Sequence, residues 1–223
     1  MKNQTNQTKQ GFTLAEILIT LTVIGVVAAL TIPTLLQNTN QAELKTAMKK
    51  DFADFSQIYG QMVNDGGGSL DLALLGAGCT NGGHNCFKNQ IKKYFNYIKE
   101  CNNGTVLGNC FSANTKDLNG NVSNDNYRES AGAGLILANG TNVLIYLDNA
   151  DCKHNRGTFT NQCGWVTIDV NGLKAPNTWG KDMYNFMFYS DAIRPLGIAQ
   201  DTLDTTCTPT QRGFGCAGVY MYQ

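Results

Sequence analysis

The chain has 223 residues, with 17 basic against 17 acidic side chains and two His. That balance gives no electrostatic footprint for nucleic acid, so no nucleic-acid partner is expected. All eight Cys lie beyond residue 78, an even set that points to disulfides formed in an oxidising space.

The first ten residues are polar and carry two charges, Lys2 and Lys9. Residues 12–36 are apolar apart from a few Thr and one charge, Glu16, and no charge follows from Ile17 to Ala42. As a helix, 12–36 would span roughly 37 Å, enough to cross a bilayer. Lys2 and Lys9 would hold the preceding segment in the cytoplasm and place the rest outside the inner membrane. A lone carboxylate in a span costs about 2.5–3.5 kcal/mol at mid-membrane and less near the interface, so a compensating partner is expected. Secretory cleavage is disfavoured, because such signals are cut after the apolar run at a small-residue site.

Gly11, Phe12, Thr13, Leu14 and Glu16 form the pattern G-F-T-L-x-E ahead of that run. It resembles the N-terminus of type IV pilins and of type II secretion pseudopilins. Ala15 departs mildly, standing where Ile or Val is commoner. The resemblance implies that a prepilin peptidase removes a leader, 1–11, and that Phe12 becomes an N-methylated mature end. It implies a pilin-like fold, a long apolar helix packed on a small antiparallel sheet. It implies assembly through Glu16, the fifth mature residue, and a helix-loosening role for Pro33. Glu16 of one copy would meet the new amine of Phe12 on a neighbour and set the axial register. Without the leader, 15 basic side chains remain against 17 acidic ones.

Beyond Pro33 the helix is expected to run to about residue 64, with local melting or a kink at the proline. Leu44, Met48, Phe52, Phe55, Tyr59 and Met62 recur at spacings of three and four, a stripe that should cover the globular part. Residues 37–65 are therefore an amphipathic continuation, ended by Asp65-Gly66-Gly67-Gly68-Ser69, and 66–223 an extracytoplasmic head.

Within the head, Phe87, Ile91, Tyr94, Phe95 and Ile98 suggest one amphipathic helix, and residues 102–130 read as loop. Asn139-Gly140 between apolar runs signals a hairpin with φ > 0 at both turn positions. Trp165–Val170 and Tyr184–Tyr189 alternate as two further strands. About four antiparallel strands against one helix make an α+β roll.

Eight Cys allow on the order of a hundred pairings, so connectivity stays open. The simplest guess joins sequence neighbours: Cys79 with Cys86, Cys101 with Cys110, Cys152 with Cys163, and Cys207 with Cys216. No C-x-x-C occurs, and His84 and His154 lack zinc-ligand spacing and read as solvated loop residues.

The segment from Asp169 to Asp182 resembles a D-x-N-G-x-x-x-P-N-x-x-G-x-D loop of pseudopilin-like heads. Its first reading is a rigid connection between strands. The alternative is a calcium site with Asp169, Asn171 and Asp182 as side-chain ligands, although the EF-hand pattern is absent. Beyond that no cofactor is expected. The chain contains no G-x-S-x-G, H-E-x-x-H or phosphate-binding Gly-Lys-Ser/Thr, and an enzyme is not expected.

The sequence thus reads as a structural subunit, built into a homo-oligomer or a mixed filament with other pilin-like chains. Its expected partners are the prepilin peptidase, an inner-membrane assembly platform and inner-membrane lipid. Its expected location is the inner membrane, then a periplasmic pseudopilus or a cell-surface pilus. The competing reading is a membrane-anchored binding or adhesion module, such as a minor pilin-like adhesin or a DNA-uptake component.

Overall fold

The computed structural model describes residues 11–123, 132–156, 159–198 and 207–222. The expected leader residues 1–10 and the end of the expected loop, 124–130, lie outside the described residues. The chain forms two compact units, Met1–Ala42 and Glu43–Gln223. Helix α1, Leu14–Asp65, contributes its first part to one unit and its second part to the other. The amphipathic stretch from Glu43 onward is therefore part of the globular unit rather than a separate segment before it.

In the first unit, α1 runs without interruption through Pro33, so the melting expected there is not seen. Proline still removes the N–H that would serve the Ala29 carbonyl. The threonine hydroxyls along this stretch turn inward to their own helix. Thr22 donates to the Leu18 carbonyl at 2.7 Å and Thr31 to that of Val27 at 2.9 Å. Hydroxyls satisfied in this way are compatible with lipid.

The second unit is a seven-stranded antiparallel sheet covered on one face by α1 from residue 43 onward. Before the sheet come α2, Leu70–Gly76, and α3, His84–Ile91. The strands are β1 Tyr97–Cys101, β2 Ala133–Leu137, β3 Asn142–Leu147, β4 His154–Arg156, β5 Phe159–Asp169, β6 Met183–Tyr189 and β7 Ile193–Pro195. A last helix, α4, spans Cys216–Met221. The sheet order is β1-β2-β3-β5-β6-β7, with β4 paired to the outer end of β5.

Alternation sets the two faces of the sheet. Val166 and Ile168 of β5 and Tyr184, Phe186 and Phe188 of β6 join Leu135, Val143 and Ile145 beneath α1. From the helix side come Met48, Phe55, Ile58, Tyr59 and Met62. Phe52 stacks on Phe186 with ring centroids 5.0 Å apart, and the Tyr59 hydroxyl donates to the Ser190 carbonyl at 2.8 Å. The other face is buried beneath loops, where Trp179, Met183, Leu144, Val106 and Phe111 form a second cluster.

The expected helix across Phe87–Ile98 is cut short. Phe87 and Ile91 are buried on α3, but Tyr97 and Ile98 belong to β1, whose pairing with β2 supplies backbone bonds that a longer helix would forgo. The hairpin at Asn139-Gly140 also differs from expectation. Leu137 and Thr141 enclose a three-residue loop, and only Gly140 takes a positive φ, +93°. This is a turn followed by one left-handed residue, the usual three-residue hairpin. His84 is not solvated: it is buried, its Nδ1 accepts the Leu147 N–H at 3.0 Å, and its ring lies 4.2 Å from that of Tyr146. Burial lowers its pKa, as a neutral acceptor requires.

The structure pairs the cysteines as sequence neighbours, 79–86, 101–110, 152–163 and 207–216. Each closes a loop of 7 to 11 residues, and a loop of that size contributes about 2.5 kcal/mol in the chain-entropy picture.

Asp51 sits on the covered face of α1, 4% exposed. Its carboxylate accepts the Thr141 hydroxyl at 2.9 Å and the Asn139 amide at 3.3 Å, tying the helix to the β2–β3 turn. Burial outweighs these bonds and pushes its pKa up to about 6. A carboxyl whose pKa is raised on folding stabilises most below its unfolded value, and that contribution is lost as pH rises through 6. Purified full-length protein in detergent should therefore lose about 2 kcal/mol relative to Asp51→Asn between pH 4 and pH 7, read by denaturant unfolding.

Candidate functional site

The start of α1 explains how the G-F-T-L-x-E residues fit together. Thr13 precedes the first helical residue, Leu14, and Glu16 lies three positions after Thr13. The Glu16 N–H donates to the Thr13 hydroxyl oxygen at 3.2 Å. In return Glu16 Oε2 accepts the Thr13 backbone N–H and the Thr13 hydroxyl, each at 2.8 Å. This is a capping box, in which Thr and Glu satisfy each other's orphan groups at a helix N-terminus. Sequence reasoning treated Glu16 as a charge awaiting a partner and missed this role, although Thr-x-x-Glu ahead of an apolar run is its signature.

Gly11 and Phe12 stand outside the helix and are open to solvent, Phe12 being 85% exposed. From Phe12 to Leu36 fourteen large apolar side chains are exposed, on every face of the helix. Among the described residues this is one helix long and apolar enough to cross a membrane. A Cβ added at Gly25 would meet nothing, so that glycine serves no packing within the chain itself.

Residues 6–32 match the family model for the prokaryotic N-terminal methylation motif. The chain carries the type IV pilin and pseudopilin signal. That motif supports a type IV pilin-like precursor, and with the apolar helix it fits a membrane-anchored pilin. It also implies filament assembly with other pilin subunits. No curated protein and no solved structure matches the chain.

The second sequence-predicted site is in the globular unit. Asp169 ends β5, opposite Asn142 of β3 and Met183 of β6, and Asp182 immediately precedes β6. The Val170 N–H donates to the Asp182 carbonyl at 2.9 Å, closing the base of the intervening loop. Asp182 takes the N–H groups of Asn177 and Thr178 on its two oxygens, at 2.8 and 2.6 Å. Asp169 Oδ1 accepts the Asn171 N–H at 3.3 Å, and the Asn171 side-chain amide donates to the Ala175 carbonyl at 3.2 Å. Gly172, at φ +74°, lets the turn press on the β2–β3 hairpin, since a Cβ there would lie 2.8 Å from the Gly140 carbonyl.

The loop connects β5 to β6 through these hydrogen bonds, and the structure brings Asp169, Asn171 and Asp182 together. Both carboxyls are wholly buried. Burial and the neighbouring Asp182 push Asp169 up to about 9, and burial raises Asp182 against its backbone donors. Among the described residues, no cluster of three or more His, Cys, Asp or Glu is poised to hold a metal.

The capping box predicts a local effect. Thr13→Val removes the side-chain acceptor of the cap while keeping its shape, at a cost of about 1 kcal/mol. Amides of the first turn of α1 should then exchange roughly fivefold faster in detergent micelles, with exchange in the sheet unchanged.

Proposed function

We propose that a prepilin peptidase cuts between Gly11 and Phe12, that Phe12 is N-methylated, and that copies assemble through residues 12–36 into a filament. The filament is a type II secretion pseudopilus or a type IV pilus, with the D-x-N-G loop favouring the secretion type. The subunit works mechanically and is not an enzyme; the peptidase and the assembly platform are separate partners. Before assembly it waits in the inner membrane with the globular unit outside the cytoplasm.

One observation carries this reading. From Leu14 to Leu36 α1 is apolar on all faces, and its one charge there is Glu16, the third residue of the helix, within the stretch that carries the methylation motif. Lipid or neighbouring copies are the environments that suit such a surface. In the filament, the Phe12 amine of one copy supplies the countercharge for Glu16 of another. The capping box leaves room for this, because a carboxylate has about four acceptor positions.

Mass spectrometry of sheared surface fibres and of membranes should find a mature chain beginning at N-methyl-Phe12. Glu16→Ala should remain in the membrane and disappear from the fibre fraction. A mature chain still beginning at Met1, with Glu16→Ala assembling normally, would sink the proposal. A deletion strain scored for twitching and for exoprotein release separates the two filament types.

A further inference from the structure

One lysine of the globular unit is enclosed. Lys88 of α3 is 1% exposed, and among the described residues no other Lys or Arg is buried. Its Nζ donates to Asn102 Oδ1 at 2.7 Å, and Glu100 Oε2 lies 3.2 Å from the same nitrogen. Glu100 belongs to β1, and Asn102 directly follows that strand. Asn85, also on α3, accepts the Asn103 N–H at 3.0 Å, so the helix and the strand end are held in one register. Glu100 also pairs with Lys92 at 2.7 Å. Two ammonium groups thus share one carboxylate, and one of them is out of water. Burying a charge on these terms is costly. Loss of the Lys88 proton removes that cost and leaves Lys92 and Glu100 as a balanced pair. A neutral lysine amine shielded from water is a nucleophile. The carbon within its reach, Asn102 Cγ, is one bond beyond the oxygen it already touches.

We propose that Lys88 and Asn102 join in an intramolecular isopeptide bond, with Glu100 as the catalytic residue that moves the protons. Glu100 starts ionised, because hydrogen bonds from Lys92 and then Lys88 hold its carboxyl below the usual range. The Lys88 ammonium first gives one proton to water through Glu100, whose side chain is 40% exposed. The Nζ lone pair then attacks Cγ, and the carbonyl electrons move onto Oδ1. Glu100 takes a second proton from Nζ and passes it to Nδ2. The Cγ–Nδ2 bond breaks as the carbonyl re-forms, and ammonia leaves. Amine and amide become a secondary amide and ammonia, and nothing is oxidised or reduced. Asn102 and Glu100 are on the solvent side, so the ammonia has a path out. The fold supplies the proximity that two separate side chains lack. The bond would tie α3 to β1, the outermost strand, which pairs with β2. The inference is independent of how the N-terminal helix is processed, and its test does not involve assembly.

The test is mass spectrometry of the purified full-length chain under denaturing conditions. With its four disulfides intact, the wild type should weigh one ammonia less than its residues require. After reduction, trypsin should fail to cut at Lys88 and should release a branched peptide joining Lys88 to Asn102. Lys88→Met and Asn102→Ala should show no ammonia loss and no branch. Glu100→Gln keeps both reacting groups and should be recovered mainly unlinked, with circular dichroism confirming that it folds. The wild-type result decides by itself. A wild-type chain of full mass that trypsin cuts after Lys88, even after incubation at mildly alkaline pH, would overturn the proposal. So would an ammonia loss that maps to an unbranched succinimide at any Asn. A folded Glu100→Gln chain linked as fully as wild type would overturn the role given to Glu100.

Discussion

The first unit is governed by an apolar surface that its own fold does not cover. Fourteen large side chains between Phe12 and Leu36 stand exposed. Removing each from water contributes about 1.5–3 kcal/mol, on the order of 20–40 kcal/mol together. The cost of one carboxylate near a membrane interface, about 3 kcal/mol or less, is small beside that. Glu16 therefore does not decide whether the segment leaves water. Its influence is on the ends: it orders the first turn through Thr13, and its remaining acceptor positions are available for a cation at the same depth.

The second unit is built by the opposite rule, with every apolar stripe matched by another. The two faces of its sheet are held differently. Beneath α1, Phe55, Tyr59, Phe186 and Phe188 pack closely, and burial is the dominant force. The opposite face is roofed by Asn- and Gly-rich loops that bring few apolar side chains. There Trp179 packs edge-on to Phe214 at 4.6 Å, and Cys101–Cys110 joins the same cluster. Cys101–Cys110 restricts the unfolded chain on this face, while the other three disulfides lie with the core beneath α1.

What was legible in the sequence follows from the same physics. The N-terminal methylation motif was readable as residue identities at fixed spacing, and the α1 stripe and the alternation in β5 and β6 because residue period and burial coincide over many residues. The neighbour pairing of cysteines was the simplest reading of short loops. The short elements were not legible. β4 and β7 have three residues each, and β7 ends in Pro195, which suits an edge strand but gives no periodic signal. The short α2 and α4 arise only because the surrounding chain presents a surface for Leu70, Leu74 and Ala217 to cover. Asp51 was missed for another reason: it lies three residues after Met48 and four before Phe55, squarely on the apolar stripe, but acidic residues are read as solvated by habit.

Asp51 and the Asp169–Asp182 pair show two solutions to one problem. Each places a carboxyl in an interior that disfavours its charge. Asp51 has two side-chain donors from the hairpin and is only moderately shifted. Asp169 has backbone donors on one oxygen, a second acid beside it and no partner on the other oxygen, and it is shifted much further. Donors within the chain answer the first case and do not answer the second. A proton retained on Asp169 relieves the pair, in keeping with its raised pKa.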